Sequence, residues 1–169
     1  MAQFHEIAPS DISDNPFTLI GQDWMAVTAA AKGRVNAMTA SWGGLGILWG
    51  LPVATVYIRP QRYTRELIDE SASFSLSVLD ESHRPTLSYL GSVSGRDADK
   101  IEVSGLTVDY EGQTPYFAEA RLVFICRKLY RQALEPEDFV DPVLSHQWCP
   151  EGDYHIMYVG AVEKLLRRE

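Results

Sequence analysis

Hydrophobic and polar residues alternate along several short segments of the chain, which is the spacing typical of β-strands. The clearest case is SFSLSV at residues 73–78, where the pattern predicts a strand with one dry face and one wet face of serines. Segments rich in β-branched or aromatic residues, bounded by Gly, Pro, Asp or Asn, predict strands at residues 24–31, 37–42, 53–59, 73–79, 118–130 and 154–162. Together these strands would close into a sheet or a barrel.

Two short helices are predicted between the strands. Thr64 is a candidate N-cap for the segment RELIDES, with Glu66 in the first turn, where the helix dipole favours negative charge. A second helix is predicted from Arg84 to Leu90, because Pro85 is tolerated in a first helical turn. The sequence lacks the regular strand and helix alternation of a doubly wound fold, and it has no internal repeat. We therefore predict a mainly β fold with a few short helices, in a single domain over residues 1–169.

Charge and cysteine content narrow the function classes. The 169 residues carry a formal net charge of -8, which disfavours nucleic acid and anionic membrane as partners, since both are bound by clustered cations. The longest apolar stretch, residues 45–56, is broken by Gly50 and Pro52 and predicts no membrane span. The N-terminus does not resemble a secretory signal, so we expect a cytoplasmic protein in which Cys126 and Cys149 are thiols.

The segment NAMTASW, residues 36–42, combines small and hydroxyl side chains with a terminal indole, and glycine-rich residues 43–46 follow it as a mobile loop. Small side chains let a flat ligand reach the backbone, and Trp42 would supply apolar cover for a ring such as a flavin. The alternative is an ordinary barrel strand in which Trp42 belongs to the core.

The segment YIRPQRYT, residues 57–64, predicts an anion site where a strand turns into a helix. A helix N-terminus offers free N–H groups, and guanidinium groups such as those of Arg59 and Arg62 grip phosphate oxygens in pairs. The alternative is that both arginines are solvated and Thr64 is only a cap.

The remaining candidates are the polar loop GSVSGRDADK, residues 91–100, and His155 at the start of the last strand. The loop would wrap the edge of a cofactor, where Lys100 would stabilise a reduced ring, or it is a plain turn. His155 would meet a nicotinamide or flavin, or it is structural. The sequence has no Rossmann, Walker or GxSxG motif, and its scattered histidines predict no metal site, so no catalytic acid, base or nucleophile is assigned.

The segments NAMTASWGG, VYIRPQRYTRELI, FSLSVL, LGSVSGRDADK, EARLVFICRKLY and DYHIMYVGAV resemble, in order, the flavin reductase-like, FMN-binding split-barrel family, in a branch that includes flavoredoxin. The resemblance covers residues 22–162. It implies a homodimer of split β-barrels with one FMN per protomer, bound partly at the subunit interface. Many relatives carry Gly-Asp-His near the final strand, whereas this chain has Tyr154 inserted before His155.

The resemblance also implies roles for named residues. Thr39, Ala40, Ser41 and Trp42 would line the isoalloxazine, mostly through the backbone, and Asn36 would support their strand. The ribityl phosphate would be held by Arg59, Arg62, Tyr63 and Thr64. Ser92, Ser94, Gly95 and Lys100 would close over the ring or the phosphate.

The leading hypothesis is an NAD(P)H-dependent flavin reductase in which FMN takes a hydride from NADH or NADPH and passes electrons to a second acceptor. The first alternative is a flavoredoxin-type carrier reduced by a redox-protein partner. The second is a non-redox β-barrel ligand-binding module. The sequence leaves the choice between NADH and NADPH open.

Overall fold

The computed structural model describes residues 3–169, and its centre is an eight-stranded antiparallel sheet. The strands of this sheet are β1 (Phe4–Ile7), β2 (Met25–Ala31), β3 (Arg34–Ala40), β4 (Gly43–Leu48), β5 (Leu51–Ile58), β6 (Ser73–Val78), β9 (Leu122–Ala133) and β10 (Ile156–Arg168), and a separate hairpin is formed by β7 (Val108–Glu111) and β8 (Thr114–Phe117). Five α-helices connect them, namely α1 (Pro16–Thr18), α2 (Tyr63–Glu70), α3 (Arg84–Ser92), α4 (Lys100–Ser104) and α5 (Pro142–Trp148). The prediction of a mainly β split barrel with short helices is confirmed.

The strands follow the order β3-β2-β6-β9-β10-β5-β4, with β1 added to β10. The first half of β10 pairs with β5, and its last residues pair with β1, while β9 runs along its other side. Register shifts after Val159 and Val162 bend this long pair. Gly160 lies at the first bend, where a Cβ would come within 2.8 Å of Cys126 Cβ and Phe74 Cζ. The curled sheet therefore encloses a core but stays open between β3 and β4.

The core has two parts. The larger lies inside the curl and includes Phe74, Leu76, Val78, Cys126 and Tyr158. The smaller lies outside, where α3 and the β7–β8 hairpin cover the sheet. Cys126 is fully buried in the larger part, and burial raises the pKa of its thiol, which disfavours the thiolate form.

Three local predictions are wrong. The serine face of β6 is not wet, because the β7–β8 hairpin covers it: Ser75 Oγ donates to Pro115 O over 2.5 Å, and Ser77 Oγ accepts from Phe117 N over 3.2 Å. The mobile loop at residues 43–46 is part of β4, because its backbone pairs with β5 throughout.

The third wrong prediction concerns the N-cap of α2. Thr64 lies inside this helix and Arg62 occupies the N-cap position. The Thr64 hydroxyl instead accepts a hydrogen bond from Asn36 Nδ2 over 2.8 Å, which ties α2 to β3. In residues 3–169, none of the helices combines the length and the apolar character needed to cross a bilayer.

Candidate functional site

A cationic cavity lies where β5 ends, turns and enters α2. The chain leaves β5 at Ile58, and within residues 3–169 no side chain caps the first turn of α2, so N–H groups at its N-terminus remain available to a ligand. The cavity has a volume of about 360 Å³ and is lined by Met38, Arg59, Gln61, Arg62, Tyr63, Thr64, Ser92, Val93, Ser94, Gly95 and Lys100. The structure thus brings together eight of the predicted site residues from two separate segments.

Two cations of this cavity lack a carboxylate partner. Arg62 donates to Gly91 O over 2.7 Å, and Lys100 Nζ donates to Leu90 O and Val93 O over 2.8 and 2.9 Å. Within residues 3–169 neither side chain forms a salt bridge, although Lys100 is only 3% exposed. Buried charges are usually paired, so the cavity carries an unbalanced positive charge.

The pKa values of both side chains are lowered, as expected for buried cations that no carboxylate balances. Burial lowers the pKa of the Arg62 guanidinium, and the neighbouring charge of Arg59 lowers it further. Burial, together with the charge of Arg62, lowers the pKa of Lys100 to about 8. An anion in the cavity would offset the repulsion between these cations and raise the pKa values of both groups.

Arg59 differs from Arg62 because its charge is already balanced. Its guanidinium forms a salt bridge with Asp153 Oδ2 at 2.6 Å and donates to Trp148 O over 3.2 Å. Gln61 Nε2 donates to the same Asp153 oxygen over 3.0 Å, and this hydrogen bond, followed by a backbone hydrogen bond and the Arg59 charge, holds the pKa of Asp153 below its ordinary value. Arg59 therefore fastens the segment after α5 to the rim of the cationic cavity.

An aromatic cavity of about 610 Å³ lies at the opening between β3 and β4. It is lined by Pro16, Phe17, Ile20, Gly21, Ser41, Trp42, Gly43, Gly44, Leu45, Tyr57, Leu134 and His155. The ring of Trp42 meets the ring of Trp148 edge-on at 5.0 Å and lies 4.9 Å from that of His155. Because Arg59 binds Trp148, a continuous chain of contacts joins the aromatic cavity to the cationic one.

His155 is nearly buried beside Trp42, with 7% of its surface exposed. Burial lowers its pKa, and the charge of Arg59 acts in the same direction. The imidazole is therefore neutral at pH 7 and has one N–H to donate.

The backbone of β3 forms one wall of the site. This strand is at an end of the sheet, so within residues 3–169 no other strand pairs with the N–H and C=O groups of its outer edge. Thr39 uses its hydroxyl to donate to Leu87 O over 2.5 Å, and Ala40 is buried in the core. Neither residue lines the cationic or the aromatic cavity, so the contact with a flavin ring that the resemblance implies for them stays a prediction.

Lys100 lines the cavity that also contains Arg62 and does not line the aromatic cavity; the role predicted for it over the ring or the phosphate stays a prediction. The structure adds residues that the sequence did not indicate. The added residues are Gln61, Trp148 and Asp153. For Trp148 there was a local signal, because Asp141 caps α5 and Pro142 occupies its first turn.

Comparison with known proteins gives a consistent result. Residues 19–169 match the family model described as "Flavin reductase like domain". A curated protein from Aeropyrum pernix, described only as uncharacterized, is 36% identical over 85 residues, which is 50% of this chain and 32% of that protein. The chain thus matches about a third of that relative's length.

Solved structures share the fold. A flavoredoxin from Methanosarcina acetivorans superposes with a TM-score of 0.66 and 24% identity, covering 85% of this chain and 67% of the other. The FMN-binding domain of a flavin reductases-like enzyme from Shewanella baltica gives 0.71 and 19%, covering 98% and 78%. A protein with a split barrel domain from Shewanella frigidimarina gives 0.67 and 16%, covering 89% and 71%.

Proposed function

The chain belongs to the flavin reductase-like domain family, and on that premise we propose that it is an oxidoreductase that binds FMN with its phosphate in the cationic cavity. The observation that carries this proposal is the pair of cations, Arg62 and Lys100, that no carboxylate balances within residues 3–169. A phosphomonoester brings a charge of about -1.5 to -2 at neutral pH and three acceptor oxygens. The hydroxyls of Thr64 and Ser94, which accept hydrogen bonds from Asn36 and from Arg96 N, and the first turn of α2 add donors of the right kind, so the residues fit the group. The Ser92 hydroxyl instead donates to Ser88 O over 3.0 Å.

The isoalloxazine would lie along the open edge of β3 towards the aromatic cavity. FMN, when bound, supplies a ring that accepts a hydride or electrons. The backbone edge next to Thr39 and Ser41 offers donors and acceptors that orient a flat heterocycle, while Trp42 and Trp148 cover it and exclude water. The neutral imidazole of His155 offers a hydrogen bond at the rim of this cavity. The chain needs no acid or base for hydride transfer, since its task is to position the reactants.

We infer that NADH or NADPH is the electron donor and that a second acceptor takes the electrons away. The aromatic cavity supports this choice, because its volume of about 610 Å³ and its largely apolar walls suit a small flat molecule beside the flavin. Nothing in the cavity distinguishes the two nucleotides.

A carrier that is reduced by a protein partner is the second candidate. The segment between β9 and β10 favours it, because α5 ends at Trp148 and is flanked in the sequence by exposed acidic residues, namely Glu135, Glu137, Asp138, Asp141 and Glu151. This acidic surface would attract a basic redox protein to the aromatic cavity.

Stopped-flow spectroscopy of the FMN-loaded protein separates the two candidates. Fast bleaching of the flavin band by NADH or NADPH supports the reductase. Slow bleaching by both nucleotides together with fast reduction by a basic redox protein supports the carrier.

The proposal as a whole is tested by the absorbance spectrum of the purified protein, followed by mass identification of any released flavin and titration of the apoprotein with FMN. A colourless protein that does not bind added FMN would contradict it and leave a non-redox binding module as the better description.

We also propose a homodimer. The hairpin of β4 and β5 exposes Ile47 of β4, which is 72% accessible, and Trp49 of the turn, which is 60% accessible. Trp49 also adopts a positive φ of 53°, which costs an aromatic residue energy. An exposed apolar patch of this kind is typical of an interaction site. Light scattering on the wild type and on Trp49→Ser tests this assembly: we expect a dimer that the substitution weakens, and a monomeric wild type would contradict it.

A further inference from the structure

A third cavity lies between the end of β9 and α5, apart from the cationic cavity. This α5 cavity has a volume of about 520 Å³, which is within the range of small-molecule sites. Its floor is formed where Gln132 of β9 pairs with Met157 of β10. Its wall is the segment that leaves β9 at Leu134 and continues into α5 as far as Leu144. The cavity is therefore built from a rigid strand pair and one connecting segment.

Contacts within the chain hold the connecting segment in place. Asp141 caps α5, because its Oδ1 accepts a hydrogen bond from Val143 N over 3.0 Å. The centre of the Phe139 ring lies 5.7 Å from that of Tyr154, and the Tyr154 hydroxyl lies 3.1 Å from Ser145 Oγ. The wall is thus formed without a ligand, so a ligand would not have to order it.

The side chains that form most of the α5 cavity are apolar and are left uncovered by the protein. Leu134, Phe139, Val140, Leu144 and Met157 all line it. Val140 and Leu144 are exposed, and every residue of α5 keeps part of its surface accessible. Burial of this surface under hydrocarbon groups would be favourable, so the cavity favours an apolar ligand.

The charge of the α5 cavity has one sign. Glu135, Asp138 and Asp141 line it, and within residues 3–169 none of these carboxylates forms a salt bridge and no lysine, arginine or histidine joins them in the lining. The face of the Phe139 ring also attracts positive charge. A phosphate or a carboxylate would be repelled, which excludes a nicotinamide dinucleotide as the occupant. The charge therefore favours a cation.

We propose that the α5 cavity is a binding site for apolar organic cations, that is, ammonium, phosphonium or aromatic cations whose charge is surrounded by hydrocarbon groups. A second copy of this chain is a poor occupant, because each copy carries a net charge of -8 and a symmetric contact would bring two sets of these carboxylates together. Leu134 also lines the aromatic cavity, so the bound cation lies next to it. The inference goes beyond the proposed function, since it needs no flavin.

The test uses two probes of the same shape and opposite charge. Tetraphenylphosphonium and tetraphenylborate are each titrated into the purified protein by isothermal titration calorimetry. We expect the cation to bind about tenfold more tightly than the anion, because three unpaired carboxylates line the cavity. Equal affinities, or absence of binding by the cation, would overturn the inference.

Two variants locate the bound cation. The double variant Glu135→Gln/Asp138→Asn should weaken tetraphenylphosphonium by about fivefold, the value expected for two partly exposed charge contacts. Its control, Glu81→Gln/Glu102→Gln, changes the net charge equally at exposed glutamates that do not line the cavity and should leave the affinity unchanged.

The second variant, Leu144→Ser, should weaken both probes by about fivefold, because it removes apolar surface from the wall. Its control is Val103→Ser, at an exposed valine of α4 outside the cavity. Circular dichroism of all four variants checks that they are folded.

The outcomes separate this inference from the proposed function. Tetraphenylphosphonium binding that neither variant weakens overturns the α5 site, whether or not the protein binds FMN. Absence of FMN binding, with cation binding that both variants weaken, overturns only the proposed function. The same carboxylates could instead serve a basic protein, so cytochrome c is titrated as well. Binding of cytochrome c that Glu135→Gln/Asp138→Asn weakens, with no binding of tetraphenylphosphonium, would assign the surface to a protein partner and overturn the inference.

Discussion

The cationic and aromatic cavities differ in how far the protein itself satisfies them. In the cationic cavity, Arg62 and Lys100 donate only to backbone carbonyls and their charges are left over. In the aromatic cavity, Trp42, Trp148 and His155 already contact one another and carry no charge at pH 7. On the proposed function, this difference predicts a division of labour, in which the cationic cavity would supply most of the affinity for a flavin phosphate and the aromatic cavity would orient the ring.

The substitution Arg62→Gln should have the largest effect on this comparison. It removes the half-buried guanidinium that would bind the dianionic phosphate, and we expect the affinity for FMN to fall by about 100-fold. Riboflavin has no phosphate, so its weaker binding should change little. Isothermal titration with both ligands measures this, with Arg127→Gln, an exposed arginine paired with Glu163, as the control. Equal losses for FMN and riboflavin would show that the phosphate lies elsewhere.

Lys100→Met should reduce the affinity for FMN by about tenfold and should remove the dependence of this affinity on pH. Because the pKa of Lys100 is lowered to about 8, the free amine is charged below that pH and becomes neutral above it. FMN affinity of the wild type should therefore fall as the pH rises through about 8, while Arg62 keeps its charge.

Titrations with FMN across this pH range measure the effect, and the variant should give a flat profile. Since Lys100 also holds two backbone carbonyls, circular dichroism must show that the variant is folded. A wild-type affinity that stays constant through pH 8 would contradict the prediction without any variant.

Trp42→Ala tests the other side of the comparison. The indole is 39% accessible, and loss of one aromatic contact is worth about 0.5–1.5 kcal/mol. We expect FMN and riboflavin to lose affinity by the same factor, about fivefold. A loss confined to FMN would assign Trp42 to the phosphate and contradict the division of labour.

Asp153→Asn should have the smallest effect on FMN affinity, and the change should be an increase instead of a decrease. It removes the carboxylate that balances Arg59, so a second guanidinium becomes available to the phosphate. We expect FMN affinity to rise by about threefold, because the salt bridge is partly exposed and weak. A fall in affinity would mean that Asp153 is needed to hold Arg59 in place.

The sequence predicted strands and the anion site where the signal is local. The alternation at residues 73–78 gave β6 to within one residue, because side chains change faces at every residue of a strand. Arg59, Arg62 and Thr64 were recognised together because a strand, a turn and a helix N-terminus follow directly in the chain. Their use as a phosphate site remains a prediction.

The errors concern partners that are distant in sequence. Ser75 was assigned to a wet face, but its hydroxyl is buried against Pro115, which lies forty residues away along the chain. For Arg59, the sequence gave no sign of its partner Asp153, which lies ninety-four residues further along; the role predicted for Arg59 at a phosphate stays a prediction. Neither pairing has a spacing that a local pattern can reveal, because tertiary contacts decide both.

The position of β10 in the middle of the sheet also has a consequence for biosynthesis. This strand joins β9, β5 and β1, so the curled sheet cannot be completed on the ribosome before residues 156–168 have emerged. Until then β5 and β9 present open edges, which invite pairing with other chains. A nascent chain halted before Ile156 should therefore depend on chaperones, and premature stop codons in this region should yield aggregates instead of partially active protein.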